Sequence, residues 1–107
     1  MMLTPDHWAT IRRLVAWLDQ ENGRSQHETT LRLLKLTEEA GEVAQAWIGV
    51  IGQNPRKGVT HTRQDVAEEL CDVIVTAAVA LASITDDPAT VLGGKLDKIA
   101  ARSGMAI

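Results

Sequence analysis

The chain has 107 residues, of which 45% are hydrophobic and 23% charged, a balance typical of one globular domain and unlike a disordered chain. Eleven Lys and Arg against fourteen Asp and Glu leave a net charge of −3, which argues against a basic domain that binds duplex nucleic acid. The single cysteine, Cys71, excludes an internal disulfide. No apolar run reaches the roughly 18 residues of a membrane span and no leader pattern opens the chain, so we expect one cytoplasmic domain over residues 1–107, with no membrane partner.

Four segments of helical pattern are separated by turn residues. Thr4-Pro5-Asp6 has the form of an N-cap followed by a first-turn proline and acid, and Ser25-Gln26-His27-Glu28 has the form of a capping box. The predicted helices run from about Pro5 to Glu21, from Ser25 to about Val50, from Thr62 to about Ser83, and from Asp86-Asp87-Pro88 to Ser103-Gly104. Short connections between four helices predict an all-α, four-helix antiparallel bundle.

Helices two and three share one cross-section when successive residues are placed 100° apart. Each has an apolar side and an acidic flank, with Glu39 and Glu69 near the border. The apolar residues are Leu33, Leu36, Ala40, Val43, Ala44, Trp47 and Ile51 on helix two, and Val66, Leu70, Val73, Ile74, Ala77 and Leu81 on helix three. The flanks carry two carboxylate pairs, Glu39/Glu42 and Glu69/Asp72, whose three-residue spacing makes their members neighbours on the helix surface.

An acidic flank has two interpretations. It is an ordinary solvated face, or it is half of a cation site in which the second flank supplies the rest. Two carboxylates about 4 Å apart repel by roughly 4 kcal/mol at an effective dielectric of 20, so four that converge need protonation or a cation. An all-oxygen cluster suits hard cations, and no histidine here sits three residues after a Glu, as a di-iron site requires. We therefore expect Mg²⁺ and, with it, a phosphorylated ligand.

These motifs resemble those of a known family. The segment Lys35-Leu36-Thr37-Glu38-Glu39-Ala40-Gly41-Glu42, followed 27 residues later by Glu69-Leu70-Cys71-Asp72, resembles the EExxE…ExxD signature of MazG-like proteins, in the all-α nucleoside triphosphate pyrophosphohydrolase superfamily. The resemblance runs from helix two through helix four. It implies a Mg²⁺-dependent enzyme, with Mn²⁺ as a substitute, that cleaves a (d)NTP to (d)NMP and pyrophosphate in nucleotide-pool house-cleaning.

The resemblance also implies roles for individual residues. Carried over by position, Glu39, Glu42, Glu69 and Asp72 are the metal ligands. Glu38 is a further ligand or the group that orients the attacking water, so Glu38 and Glu39 are the expected catalytic residues. Because family members assemble as dimers or dimers of dimers, the resemblance implies a homodimer or homotetramer.

Substrate contacts are expected from residues near the acids. Lys35, one turn before Glu39, contacts phosphate or forms an ion pair with a neighbouring acid. Trp47 is the best candidate for the wall of a base pocket, with ordinary packing as the alternative. Trp8 and Trp17, nine residues apart, project from opposite sides of helix one and cannot both enter one small core. A subunit interface or a stacked base is one interpretation for one of them, and ordinary packing is the alternative for each.

The last helix carries a basic stripe formed by Lys95, Lys98 and Arg102. It resembles a basic segment of many family members and would clamp phosphates, whereas the alternative is a solvated helix end or a set of cations that balances the acidic flanks. Ile99 and Ser103 stand where the family commonly has Asn and Tyr. Two other functions remain open: a phosphoribosyl-ATP pyrophosphohydrolase of the same superfamily, and a non-catalytic helical module for nucleotide sensing or protein interaction that retains the acids.

Overall fold

The computed structural model describes residues 3–105, which form four helices and no strand. The helices are α1 (Pro5–Asn22), α2 (Gln26–Ile51), α3 (Arg63–Ile84) and α4 (Pro88–Arg102). The predicted all-α, four-helix chain is therefore confirmed, with helix ends within one or two residues of those expected. None of the described helices combines the length and apolarity needed to cross a bilayer.

Side-chain caps start α1 and α3. The Thr4 hydroxyl accepts a hydrogen bond from the His7 amide, and His7 Nδ1 accepts one from the Thr4 amide. Thr62 and Asp65 exchange the same pair of bonds at the start of α3. In each of these two capping boxes, two backbone amides at the start of the helix gain a hydrogen-bond acceptor, which fixes where the helix begins.

The starts of α2 and α4 differ from the predicted caps. Ser25 accepts a hydrogen bond from the Glu28 amide, but the Glu28 carboxylate does not complete the expected capping box because it binds Arg32 instead. Asp87 occupies the N-cap position of α4 without a side-chain cap bond. Pro88, fully buried at the first position of α4, supplies the helical φ angle there.

Helices α2 and α3 form an antiparallel hairpin. At its closed end the Thr60 amide donates to the Gly49 carbonyl at 2.9 Å. At its open end Arg32, near the start of α2, donates to Ser83 Oγ, near the end of α3, at 3.1 Å. The acids at the middle of each helix are therefore brought to the same level of the hairpin.

The buried apolar cluster lies between α1 and α3. It consists of Trp8, Ile11 and Ala78, and Leu92 of α4 packs against it. Trp8 is 4% exposed and Trp17 is 57% exposed, which confirms that the two tryptophans project from opposite sides of α1. The core of the chain is thus small and lies to one side of the hairpin.

Arg32 joins the first three helices through a buried set of polar contacts. Its guanidinium donates to Glu28 at 2.8 Å, to Asp19 at 2.9 Å and to the Gly23 carbonyl at 3.3 Å. Burial acts to lower the pKa of Arg32, but the hydrogen bonds to Glu28 and Asp19 outweigh it and raise that pKa. Hydrogen bonds from Arg32 and Asn22 hold the pKa of Glu28 below its ordinary value.

The apolar sides of α2 and α3 are only partly buried, with Leu36, Val43, Val66, Val73 and Leu81 half-buried. The buried residues of α2 are Glu28, Arg32, Ala46 and Gly49, a largely polar or small set. The apolar sides are mostly exposed, and we call their exposed part the outer face: Leu33, Ala40, Ala44, Trp47 and Ile51 of α2, with Leu70, Ile74 and Ala77 of α3. The sequence locates these stripes correctly, but within one chain they do not form the core.

Both stripes lie on the same side of the hairpin. Ala40 directly follows Glu39, and Leu70 directly follows Glu69, so each stripe is rotated by about 100° from an acid that faces the other helix. In antiparallel helices, equal rotations in the same sense point to the same side. The outer face is therefore one continuous apolar surface across α2 and α3.

The arrangement of the helices is open. The chain exposes 7869 Å², whereas a compact monomer of this mass exposes about 5,800 Å². The radius of gyration is 16.8 Å, compared with about 13 Å for a compact domain of this length. Roughly 2,000 Å² of surface is thus in excess of what a compact fold of this size leaves to solvent.

Candidate functional site

Acidic side chains from α2 and α3 converge across the hairpin. Carboxylate oxygens of Glu39, Glu69 and Asp72 lie within 4.8 Å of one another. Those of Glu38, Glu39 and Glu42 form a second group within the same limit. Glu39 belongs to both groups, so all five predicted acids form one connected acidic cluster, and the interpretation of two unrelated solvated flanks does not describe this geometry.

Two oxygens of the acidic cluster are buried without a hydrogen-bond partner among residues 3–105. They are Oε2 of Glu39 and Oε2 of Glu69, one from each helix. Leaving a buried acceptor unsatisfied costs about 1–3 kcal/mol, and more when the group is charged. The cluster therefore lacks a positively charged or hydrogen-donating partner at the point where the two helices meet.

Lys35 neutralises part of the cluster from its edge. Its ammonium is 2.8 Å from Glu38 Oε1 and 3.4 Å from Glu39 Oε1. The hydrogen bond to Glu38 is the largest cause of the raised pKa of Lys35. The sequence predicts that Lys35 contacts phosphate or forms an ion pair with a neighbouring acid, and in the structure it forms the ion pair.

The donor set fits a hard divalent cation. All the converging ligand atoms are carboxylate oxygens, and two of the carboxylates, those of Glu39 and Glu69, each have one buried and unsatisfied oxygen. Such sets suit Mg²⁺ or Mn²⁺, whereas Zn²⁺ usually takes nitrogen or sulfur ligands. Asp72, Glu38 and Glu42 are exposed, so one side of the cluster is open to a ligand from solvent.

An apolar cleft of about 230 Å³ lies between α1, α2 and α3. Lys35 lines it and also contacts Glu38 and Glu39, so the cleft adjoins the acidic cluster. The other lining residues are Leu14, Trp17, Leu18, Arg32, Val75, Thr76 and Val79. The sequence indicated a base-stacking role for one tryptophan of α1 but could not identify this cleft, because its wall depends on how α1 packs against the hairpin.

Trp47 lies elsewhere. It is five residues after Glu42, which places it about 140° round α2 from that acid. It forms part of the outer face, is 39% exposed, and has the Arg63 guanidinium 5.1 Å from its ring centroid. The structure therefore does not bring Trp47 to the acid pairs or to the apolar cleft.

The basic stripe of α4 is also separate from the acidic cluster. Lys95, Lys98 and Arg102 are exposed, and none of them forms an ion pair within residues 3–105. Helix α4 is attached through Leu92 to the cluster around Trp8, on the α1 side of α3. Within a single chain these cations are therefore not paired with the acids.

The chain matches no protein-family model, no curated protein and no solved structure.

Proposed function

We propose that the chain is a MazG-like, Mg²⁺-dependent nucleoside triphosphate pyrophosphohydrolase that converts a (d)NTP to (d)NMP and pyrophosphate. The observation that carries this proposal is the meeting of Glu39 and Glu69, each with a buried and unsatisfied oxygen, beside Asp72. A cation there removes the conflict between the acids, and Mg²⁺ in proteins is typically held by a few carboxylates together with substrate phosphates.

The acids would hold the cation from two sides. Glu39 and Glu42 supply oxygens from α2, and Glu69 and Asp72 supply them from α3. When bound, Mg²⁺ lowers the pKa of coordinated water and offsets the charge of the phosphate oxygens. The residues of the chain provide the fixed positions of the ligands, because both helices are held by the hairpin contacts at either end.

Glu38 would act as the proton acceptor. Lys35 holds Oε1 of Glu38 at 2.8 Å, which leaves Oε2 to accept a proton from the attacking water. The water oxygen bonds to the α-phosphorus, the bond from that phosphorus to the bridging oxygen breaks, and pyrophosphate leaves. Lys35 is charged at neutral pH, as an ordinary lysine is, and the hydrogen bond to Glu38 raises its pKa further, so it keeps the carboxylate in position.

The apolar cleft supplies the natural site for the nucleoside. A base stacked on Trp17 and packed against the aliphatic residues of the cleft would have its phosphates near Lys35 and the acids. Lys35 lies between the two regions and would meet the first phosphate of the chain. An apolar pocket joined to an all-oxygen cation site matches a ligand with a planar base and several phosphates.

A second copy of the chain is the partner that the outer face fits. The excess of roughly 2,000 Å² over a compact monomer exceeds the ~800 Å² per partner of a standard interface. The residues that define the outer face are apolar and uncharged, so two copies could pair the same surface about a two-fold axis without burying like charges.

The test is release of pyrophosphate with and without Mg²⁺ from a panel of NTPs, dNTPs and phosphoribosyl-ATP. We expect Mg²⁺-dependent turnover of at least one NTP or dNTP, and its loss in Glu42→Gln and Asp72→Asn with an unchanged helical circular dichroism spectrum. Turnover restricted to phosphoribosyl-ATP would favour the histidine-biosynthesis relative. Absence of turnover for the whole panel would favour the non-catalytic module.

A further inference from the structure

A pocket of about 140 Å³ lies at the closed end of the hairpin. Among the described residues that line it, none carries a carboxylate, although acids outnumber bases in the chain. Its polar side chains are instead the ammonium of Lys57, the imidazole of His61 and the amides of Gln45, Gln53 and Asn54. We propose that this pocket binds a phosphate group, either as a free anion or as the terminal phosphoryl group of a polyphosphate.

The donors in the pocket suit a phosphate. The Thr60 hydroxyl is 2.8 Å from Nδ1 of His61. In the tautomer in which Nδ1 accepts a hydrogen bond from the hydroxyl, Nε2 carries the ring hydrogen and can donate it to a ligand. With the Lys57 ammonium and the carboxamide of Gln45, the pocket offers several N–H groups to oxygens that accept hydrogen bonds. Charge-assisted bonds of this kind are about twice as strong as neutral ones.

Glycine at position 49 makes the close packing around the pocket possible. Gly49 is buried within α2, and a Cβ there would overlap the His61 ring and Thr60 Oγ1. The loop that carries Lys57 is held by a hydrogen bond from the Lys57 amide to the Asn54 carbonyl at 3.1 Å. The cation and the imidazole thus reach the pocket from a closely packed hairpin end.

The pocket continues from the acidic cluster along α2. Glu42 and Gln45 are three residues apart, hence neighbours on one face, about 4.5 Å apart along the helix axis. The pocket therefore has a role in the proposed function, and this role rests on that function. A polyphosphate held at the acids would extend its terminal phosphate towards Lys57 and His61. Binding of a free phosphate anion does not depend on that function.

The experiment is a titration of the full chain in EDTA, followed by amide NMR. Pyrophosphate, orthophosphate and a nucleoside triphosphate are added to separate samples. We expect pyrophosphate to shift the amides of Gly49, Lys57 and Thr60, and Lys57→Ala to weaken its affinity by about tenfold or more. Arg56→Ala is the matched control, because Arg56 is the adjacent cation in the same loop and does not line the pocket. We expect it to change the affinity by less than about twofold.

The samples separate the two sources of phosphate. Shifts with orthophosphate support a site for the free anion, and the same shifts with the nucleotide support a site for its terminal group. Shifts confined to α4, or equal losses in Lys57→Ala and Arg56→Ala, would overturn the proposal. If these amides shift but no substrate is hydrolysed with Mg²⁺, the phosphate site stands and the proposed function fails. If a substrate is hydrolysed with Mg²⁺ and no phosphate compound shifts these amides, the proposed function stands and the phosphate site fails.

Discussion

Glu39 of α2 and Glu69 of α3 place carboxylate oxygens within 4.8 Å of each other, and each has its Oε2 buried without a hydrogen-bond partner in residues 3–105. Two ionised carboxylates at that distance repel by about 3.5 kcal/mol at an effective dielectric of 20. Lys35, 3.4 Å from Glu39, offsets part of this repulsion. The metal-free hairpin therefore contains a charge conflict at its centre, and relief of that conflict is measurable without any substrate.

We expect Glu69→Gln to stabilise the metal-free protein by about 1 kcal/mol, because it removes one of the two repelling charges. The same change should cancel the rise in melting temperature that we expect MgCl₂ to cause in the wild type. Glu68→Gln is the control, since Glu68 is adjacent and exposed but belongs to neither acidic group. Thermal unfolding with and without MgCl₂ measures both effects. A wild type that Mg²⁺ does not stabilise, or a Glu68→Gln variant that behaves like Glu69→Gln, would contradict the assignment.

Two glycines of α2 predict opposite effects on stability when each is replaced by alanine. Gly49→Ala should lower the free energy of unfolding by about 1–3 kcal/mol, because the new methyl group must displace His61 or Thr60. Gly41→Ala, in the same helix with nothing within 4 Å of its added Cβ, should raise it by about 0.5–1 kcal/mol through the better helix propensity of alanine. Urea unfolding of both variants checks the pair. Stabilisation by Gly49→Ala would show that the helix and loop are not packed as described.

The buried contacts of Arg32 predict a loss of stability in acid. The hydrogen bonds from Arg32 and Asn22 lower the pKa of Glu28 below its ordinary value of 4.5. As the pH falls, the unfolded chain therefore binds more protons than the folded chain. The stability that this carboxylate contributes is complete above its pKa in the unfolded chain, and it is lost as the pH falls through its pKa in the folded chain. The bond from the Thr62 amide lowers the pKa of Asp65 and acts in the same direction.

We therefore expect the urea midpoint to fall as the pH is lowered below about 4.5, and to fall less steeply in Glu28→Gln. Glu21→Gln, an exposed acid of α1, is the control and should keep the slope of the wild type. Arg32→Ala should lower the free energy of unfolding at neutral pH, because it leaves the buried Glu28 and the half-buried Asp19 without their partner. Equal slopes in Glu28→Gln and the wild type would remove Glu28 from this account.

The outer face predicts that the chain self-associates. Leu70→Glu places a charge in the middle of this face and should convert the assembly to monomers, because burying an unpaired charge in an apolar interface is costly. Leu31→Glu is the matched control: Leu31 is 46% exposed, close to the 47% of Leu70, but lies about 160° round α2 from the outer face. Analytical ultracentrifugation distinguishes the outcomes. A monomeric wild type, or dissociation by Leu31→Glu alone, would reject this interface.

The sequence predicts best what is decided locally. The caps at Thr4 and Thr62 depend on residues three positions away, so the helix starts follow from the chain itself. The convergence of Glu39 with Glu69 follows from matching spacings, once the two helices are antiparallel. The hydrophobic pattern does not tell whether an apolar stripe packs against its own chain or against another surface, because the helical period of the apolar residues is the same in both cases. That is why Leu70 belongs to an apolar side and is nevertheless exposed.

The apolar cleft predicts which tryptophan reports nucleotide binding. Trp17 lines the cleft beside Lys35 and is 57% exposed, whereas Trp47 lies on the outer face. We expect a nucleoside triphosphate to quench the intrinsic tryptophan fluorescence, and Trp17→Leu to abolish this quench. Trp17→Leu should also raise KM about tenfold with little change in kcat, because stacking on the base stabilises the ground state and the transition state alike. Trp47→Leu keeps an apolar side chain and should retain the quench. The opposite pattern would move the base site to Trp47 and leave the cleft without a role in nucleotide binding.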